Sequence, residues 1–281
     1  MNSSDVIIVT GASSGIGKAT AEALAKTGAR IVLACRSPSR GEAALAEITR
    51  SSRCERVELM QLDLASFASV RAFARCFAER YDRLSCLINN AGVITRERQF
   101  SEDGYELQFA VNHLGHFLLT TELLPLLTES APARVVTVSS GAHKIGRIDF
   151  DDINLDRRYT VFGAYARSKL ANVLFTRELA RRIRGSGVTA NSLHPGGVAT
   201  NFSIDRETGA GSRIMRTVSL FMSSPEKGAE TPVYLATSPD VAGISGEYFV
   251  KKRRRKPSQR ALDDTLARRL WEESERITGG R

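Results

Sequence analysis

Tyr165 and Lys169 stand four residues apart in FGAYARSKLANVLF, residues 162–175. Leu170, Val173 and Leu174 give the stretch a helical apolar face, and the i, i+4 spacing puts the phenol and the ammonium on one side of the helix. A phenol beside a fixed positive charge can hand a proton to an oxygen that is gaining negative charge. Taken alone the pair says little, because Tyr-x-x-x-Lys is common and a surface pair with no role is the ordinary reading.

A second set of residues could hold phosphate. TGASSGIGKAT places Gly11, Gly15 and Gly17 in a G-x-x-x-G-x-G pattern between an apolar run and a helix. Gly11 allows a tight turn, while Gly15 and Gly17 let a pyrophosphate approach the backbone and the helix pack on its sheet. Free N–H groups and the helix dipole favour the anion there. Ser13, Ser14 and Ile16 complete the candidate cofactor loop.

The nucleotide preference should be set at the end of the next strand, ACRSPSR. An acidic residue there would bind a ribose diol and repel a 2′-phosphate. The chain has Arg36, with Arg40 close behind, and no carboxylate. A guanidinium can grip a phosphate bidentately, which argues for NADP over NAD.

These residues need strands and helices in a particular order. DVIIVTG reads as the first strand and residues 15–26 as a helix. RIVLAC, a helix over 41–49, RVELMQLDL and the helical FASVRAFARCFAER follow. Then come LSCLINNAG, a long helix over 102–127 with Pro125 near its end, ARVVTVSS, and the Tyr165 helix running to about residue 184. VTANSLHPGG, a helix over 225–236, the strand GEYFV and the amphipathic TLARRLWEESERI close the series. Strand–helix alternation at this spacing predicts an α/β chain. It reads as a single Rossmann-type domain over 1–281. About seven parallel strands in the order 3-2-1-4-5-6-7 are doubly wound by helices on both faces, with the cofactor at their carboxyl ends.

The totals fit. The chain has 281 residues, 25% charged and 42% hydrophobic, and no apolar run approaches the roughly 20 residues of a membrane span. Its start lacks the pattern of a signal peptide, so the expected location is the cytoplasm. Cys35, Cys54, Cys76 and Cys86 form no C-x-x-C pair and read as structural thiols. His113 and His116 lack partners that would complete a metal set, so they read as packing residues and no metal is expected.

In order and spacing, TGASSGIG, LDL, NNAG, VTVSS, YARSK and HPGGVAT resemble the short-chain dehydrogenase/reductase family over nearly the whole chain. NHLGHFLL and SKLANVLFTRELARR look most like its retinol-dehydrogenase-like branch. The resemblance implies a catalytic set of Asn112, Ser140, Tyr165 and Lys169. It implies that Asp63 and Leu64 flank the adenine, and that Asn90, Ala91 and Gly92 line its ribose. Pro195, Gly196, Val198 and Thr200 should touch the nicotinamide end. Two departures stand out. The hydrophobic anchor that often opens membrane-bound retinol dehydrogenases is not present, and Ser13 and Ser14 stand where many NADP-dependent relatives place a basic residue.

The implied activity is NADP(H)-dependent interconversion of a carbonyl and an alcohol on a lipophilic retinoid-, steroid- or xenobiotic-like molecule, with Tyr165 as acid and base. A free phenol titrates near 10, so cycling near neutrality needs a drop worth roughly 3–4 kcal/mol. A positive charge about 5 Å away supplies about 3 kcal/mol at an effective dielectric near 20. Lys169 is one such charge and an oxidised nicotinamide another, and Lys169 would also hold the nicotinamide ribose. Ser140 would hydrogen-bond the substrate oxygen, and Asn112 would kink the long helix and hold a water that relays protons.

Three alternatives stand beside this one: a protochlorophyllide-reductase-like enzyme, a nucleotide-sensing protein without turnover, and a nucleic-acid binder using the KKRRRK run at 251–256. The short Ser140–Tyr165 interval, the intact catalytic set and the lack of a recognition helix respectively disfavour them. Residues 200–224 read as a mobile substrate lid. The outer sides of the long helices, 114–124 and 171–179, read as apolar enough to pair into a homodimer or homotetramer. The 251–256 run, part of a net charge of +9, reads as a solvated turn, a peripheral membrane contact or a cofactor-steering patch.

Overall fold

A computed structural model describes residues 3–196 and 224–279. Its strands are β1 (Val6–Thr10), β2 (Arg30–Cys35), β3 (Val57–Gln61), β4 (Cys86–Asn89), β5 (Ala133–Val138), β6 (Val188–His194), β7 (Tyr248–Val250) and β8 (Arg253–Arg254). They form one sheet in the order β3-β2-β1-β4-β5-β6-β7-β8. The first seven are parallel to their neighbours, and the expected order holds. β8, a two-residue strand antiparallel to β7, extends the expected seven.

The central strands are buried on both faces. Along β1, Val6 and Ile8 join one core while Ile7 and Val9 join the other. That alternation is the period of two expected of a strand, applied to a sheet covered on both sides.

On the described residues α1 (Gly15–Ala25), α2 (Pro38–Ser52) and α7 (Pro225–Thr237) accompany the Ile7/Val9 face. The other face carries α3 (Phe67–Arg80), the short α4 (Leu107–Phe109), α5 (Gly115–Glu129), α6 (Val161–Arg182) and α8 (Asp264–Thr278). None of these helices is long and apolar enough to cross a membrane.

Local chemistry fixes the helix starts. Ser37 caps α2 with Pro38 in its first turn, which moves the start ahead of the expected residue 41. The helix expected from 102 begins only at Leu107. Ser101 N donates to Tyr105 O at 2.8 Å and Gly104 has φ +81°, so 101–105 closes as a turn. The Glu106 carboxylate then accepts from Gln108 N and Phe109 N, both at 2.9 Å, and starts the helix. Between α4 and α5 the chain passes through a π-helical turn, Ala110–Leu114.

The faces expected to pair two chains are covered within one. α8 lies against α6 and α5, stacking Trp271 on Phe175 at 5.9 Å between centroids and edge-on to Phe117 at 4.9 Å. The Arg182 guanidinium sits over the indole at 4.5 Å. Leu114, Phe117, Leu118, Leu119, Leu123, Leu174, Phe175 and Leu179 are buried within the chain, which leaves only Thr121, Glu122, Leu124 and Arg177 part-exposed in 114–124 and 171–179 and little apolar face to pair. Trp271→Ala should therefore cost about 3–5 kcal/mol of unfolding free energy, as for other large-to-small core changes. Denaturant titration checks this, and a loss under about 1 kcal/mol would show that α8 is not integral to the core.

Candidate active site

The glycine loop leaves β1 at the carboxyl edge of the sheet. Gly11 and Gly15 have φ of +67° and +56°, a region glycine enters without a steric penalty. A Cβ on Gly17 would lie 2.4 Å from both Asn90 Nδ2 and Gly11 O. The loop is thereby held flat against the NNAG segment. Thr10 locks the two together: its Oγ1 accepts from Asn90 N at 2.9 Å and Ala91 N at 3.0 Å, and its carbonyl accepts from Asn90 Nδ2 at 2.8 Å.

Side chains cap α2, α3, α6, α7 and α8 at their N-termini. Ser14 makes no such bond at α1, and the first turn of α1 carries no acidic residue. Its N–H groups and dipole remain available to an anion, so the residues present fit a dinucleotide pyrophosphate. Ser13, Ser14, Gly15 and Ile16 are exposed or half-buried along this loop.

At the end of β2, Arg36 and Arg40 are both exposed and no carboxylate stands beside them up to Arg40. Burial pushes the neighbouring Cys35 thiol up to about 11, so it is an inert structural group. Asp63 is half-buried, with Oδ1 accepting from Ala65 N at 2.9 Å. Leu64 is buried beneath α5, where a Cβ on Gly115 would meet Leu64 O at 2.5 Å. Gly92 follows the Asn90–Ala91 pair and is half-buried. Pro195 and Gly196 follow β6, and a Cβ on Gly196, which has φ +97°, would meet nothing within 4 Å among the described residues. Val198, Thr200 and the expected lid fall outside the described residues, apart from Ser224, which caps α7.

Ser140, Tyr165 and Lys169 come together above β5. Ser140 begins the 3-10 turn Gly141–Lys144, and its Oγ accepts from Ala142 N at 3.2 Å. Its side chain also hydrogen-bonds Tyr165. Lys169 is buried; its Nζ lies 5.7 Å from the Tyr165 ring centroid and donates to Val138 O at 3.1 Å. Burial pushes the ammonium down to about 8. Burial raises Tyr165 above the ordinary phenol range, and the Ser140 hydrogen bond opposes it. The drop expected from Lys169 together with an oxidised nicotinamide is not present in the protein by itself. There the phenol is held protonated, because desolvation outweighs the Ser140 hydrogen bond.

Asn112 lies in the π-turn, fully buried. Its Oδ1 accepts from Val93 N at 2.7 Å, and its Nδ2 donates to Val93 O at 3.1 Å and to Ser168 Oγ at 3.0 Å. The amide therefore clamps the turn between the segment after β4 and α6. Both side-chain N–H groups and Oδ1 thus have protein partners, and the main-chain carbonyl meets His116 Nδ1.

Several residues support the site, of which sequence reasoning names His113 and His116 as packing residues and does not mark Arg167, His143 or His194. His116 joins the π-turn to β1, with Nδ1 3.2 Å from Asn112 O and Nε2 2.9 Å from Thr10 Oγ1. Asn112 O can only accept, so the His116 proton sits on Nδ1 and Nε2 is left to accept from the Thr10 hydroxyl, whose other acceptor is Ile88 O at 3.3 Å. Burial keeps this ring neutral, pushing it down to about 3. His113 packs among Phe109, Phe117 and Phe175 and meets Ser274 Oγ at 2.9 Å, so both histidines serve packing and hydrogen bonding. Arg167, between Tyr165 and Lys169, is buried against Glu106 at 3.0 Å and covers the Phe109 ring at 4.6 Å. His143 Nδ1 lies 2.7 Å from Ser140 O, while its Nε2 accepts from Ser258 N at 3.1 Å. The motif HPGG hid His194 as a site neighbour; a Cβ on Gly141 would be 3.6 Å from its Nε2.

A parallel sheet that presents a glycine loop, a free helix N-terminus and a hydroxyl–phenol–ammonium group along one edge is built as a nicotinamide-dinucleotide oxidoreductase. Comparison with known proteins narrows the class. The family model described as short chain dehydrogenase matches residues 5–210. Human retinol dehydrogenase 13 is 48% identical over 280 residues, covering 97% of this chain and 84% of the relative. Mouse retinol dehydrogenase 14 is 46% identical over 286 residues, covering 97% and 85%. Among solved structures, an uncharacterized protein from Mycobacterium paratuberculosis superposes with a TM-score of 0.79 at 36% identity, covering 99% of this chain and 94% of that one. The Pseudomonas aeruginosa RhlG/NADP active-site complex gives 0.69 at 26% identity, covering 94% and 96%. The chain belongs to the short-chain dehydrogenase family and is retinol-dehydrogenase-like within it.

Proposed function

We propose that this oxidoreductase uses NADP(H) to interconvert a carbonyl and an alcohol on a lipophilic small molecule, with Tyr165 as the acid and base. The observation that carries the reading is the Ser140–Tyr165 hydrogen bond with Lys169 buried behind the ring. When bound, the nicotinamide supplies or accepts the hydride. Ser140 then orients the substrate oxygen and donates to it as charge develops. Tyr165, held protonated by burial, delivers the proton to that oxygen in reduction and takes it back in oxidation. Lys169 holds the nicotinamide ribose and, with its charge beside the ring, lowers the cost of the phenolate. Asn112 fixes the π-turn against α6 through Ser168, which keeps Lys169 in register with the substrate.

Selection of NADP over NAD rests on Arg36, supported by Arg40. Both are exposed at the carboxyl end of β2, and a 2′-phosphate there would meet positive charge only. The NADP named for RhlG supports the same reading, and the retinol dehydrogenases support a lipophilic alcohol or carbonyl. NADPH should bind at least about tenfold more tightly than NADH, and Arg36→Asp should reverse the order. Fluorescence titration of both nucleotides measures this. Equal dissociation constants in the unaltered chain would overturn the assignment.

A further inference from the structure

We infer that the carboxyl edge of the sheet docks on an anionic lipid bilayer, with the β7–β8 hairpin as its electrostatic contact. The register pairs Val250 with Arg253, leaving Lys251 and Lys252 as a two-residue turn. Both have positive φ, +50° and +62°. Asparagine and glycine usually fill such turns because L side chains rarely adopt that conformation. The hairpin thus places charge at its tip against the preference of its own backbone.

All six residues of the 251–256 run are exposed. Lys252 pairs with Glu230 at 3.1 Å and Arg254 with Glu247 at 2.5 Å. Lys251, Arg253, Arg255 and Lys256 make no ion pair among the described residues, so the hairpin presents four uncompensated positive charges.

The run is tied to the candidate active site at both ends. Val250 pairs with His194, just before Pro195 and Gly196. Ser258 donates to the His143 ring that holds the Ser140 carbonyl. Lys144, Arg147 and Arg260 are exposed along the same rim, and Arg260 Nη1 donates to Gly146 O at 3.4 Å. Two large apolar side chains stand out there: Ile145 is 60% exposed, and Phe162, one turn before Tyr165, is 57% exposed. Basic residues interleaved with exposed apolar ones suit headgroups and the acyl boundary beneath them.

Two other uses of the charge fit less well. Steering of the cofactor would require the field to reach the glycine loop at β1, four strand positions away, or Arg36 at β2, five away. At about 4.8 Å per strand that is roughly 19–24 Å, more than two Debye lengths at physiological salt. Guarding the sheet edge against pairing accounts for Arg253 and Arg254 on β8 but not for Lys251, Arg255 and Lys256, which lie outside it.

The test is co-sedimentation of the full chain with phosphatidylserine-containing and purely zwitterionic vesicles at low and high salt. Partition onto the anionic vesicles, lost at high salt, is expected. Lys251→Gln, Arg253→Gln, Arg255→Gln and Lys256→Gln together should lower it at least about tenfold, with unchanged NADPH affinity and turnover on a soluble substrate. Lys251→Gln with Lys256→Gln, neither on β8, should lower it several-fold even where the fourfold variant aggregates. Equal partition onto both vesicle types, or no loss in the twofold variant, would overturn the proposal. So would displacement from anionic vesicles by duplex DNA at equimolar charge, which would assign the surface to nucleic acid.

Discussion

Tyr165→Phe is expected to reduce turnover by about 10³-fold or more while changing NADPH affinity by less than about threefold. The substitution keeps the ring, which is half-buried beside Phe162 at 6.5 Å between centroids, and removes only the hydroxyl that Ser140 contacts. Loss confined to kcat follows if the phenol acts only on the reacting oxygen. Lys169→Ala should instead damage both quantities. It removes the charge 5.7 Å from the ring centroid and the group assigned to the ribose, and it leaves Val138 O with Asn172 Nδ2 as its remaining side-chain donor. Single-turnover kinetics with NADPH, alongside equilibrium nucleotide binding, separates the two variants. A Phe variant with more than about a tenth of normal turnover would remove Tyr165 from the role of acid.

The parts of this site made of short, local patterns were legible in the sequence. The glycine loop, the Tyr165–Lys169 spacing and the arginines after β2 each lie within a few residues, and each sits at the end of a strand whose apolar run is plain. The strand order followed because parallel strands joined by helices admit few arrangements. What escaped depends on contacts between distant segments. The π-turn at Ala110–Leu114 has no compositional mark; it is held by Asn112 reaching Val93 and Ser168. TLARRLWEESERI is visibly amphipathic, but nothing local says that Trp271 fills the space between Phe117 and Phe175. That ignorance produced the expectation of a free pairing face. β8 is two arginines long and has no period to read.

Arg167 and Glu106 were passed over for a different reason: charged residues belong by default at the surface. A cue did exist, since Arg167 falls among Ala164, Ala166 and Leu170 on the helix that also carries Tyr165 and Lys169. Both side chains are essentially inaccessible, at 2% and 0%. Glu106 caps α4 through Gln108 N and Phe109 N, immediately before the π-turn that carries Asn112. Arg167 lies on α6 between the two residues assigned to proton transfer. The pair therefore fixes one half of the site against the other.

Arg167→Met should destabilise the protein by about 3–5 kcal/mol, because it leaves a carboxylate buried with no counter-charge. Burial already lowers the Arg167 pKa, and Glu106 is the largest influence opposing it, which is why neither charge stands without the other. Adding Glu106→Gln should recover at least half of that loss. The amide oxygen can still accept from one of the two α4 N–H groups, while the isolated charge is gone. Urea titration of both variants and of the unaltered chain gives the comparison. Activity should not recover in parallel. Without the pair the π-turn and α6 can slip, and a displacement near 1 Å at reacting groups can cost on the order of 10²-fold in rate. The double variant should accordingly fold, bind NADPH and turn over slowly, with the loss in kcat exceeding any change in KM. Recovery of full turnover together with stability would show that the pair supports the fold without positioning the site.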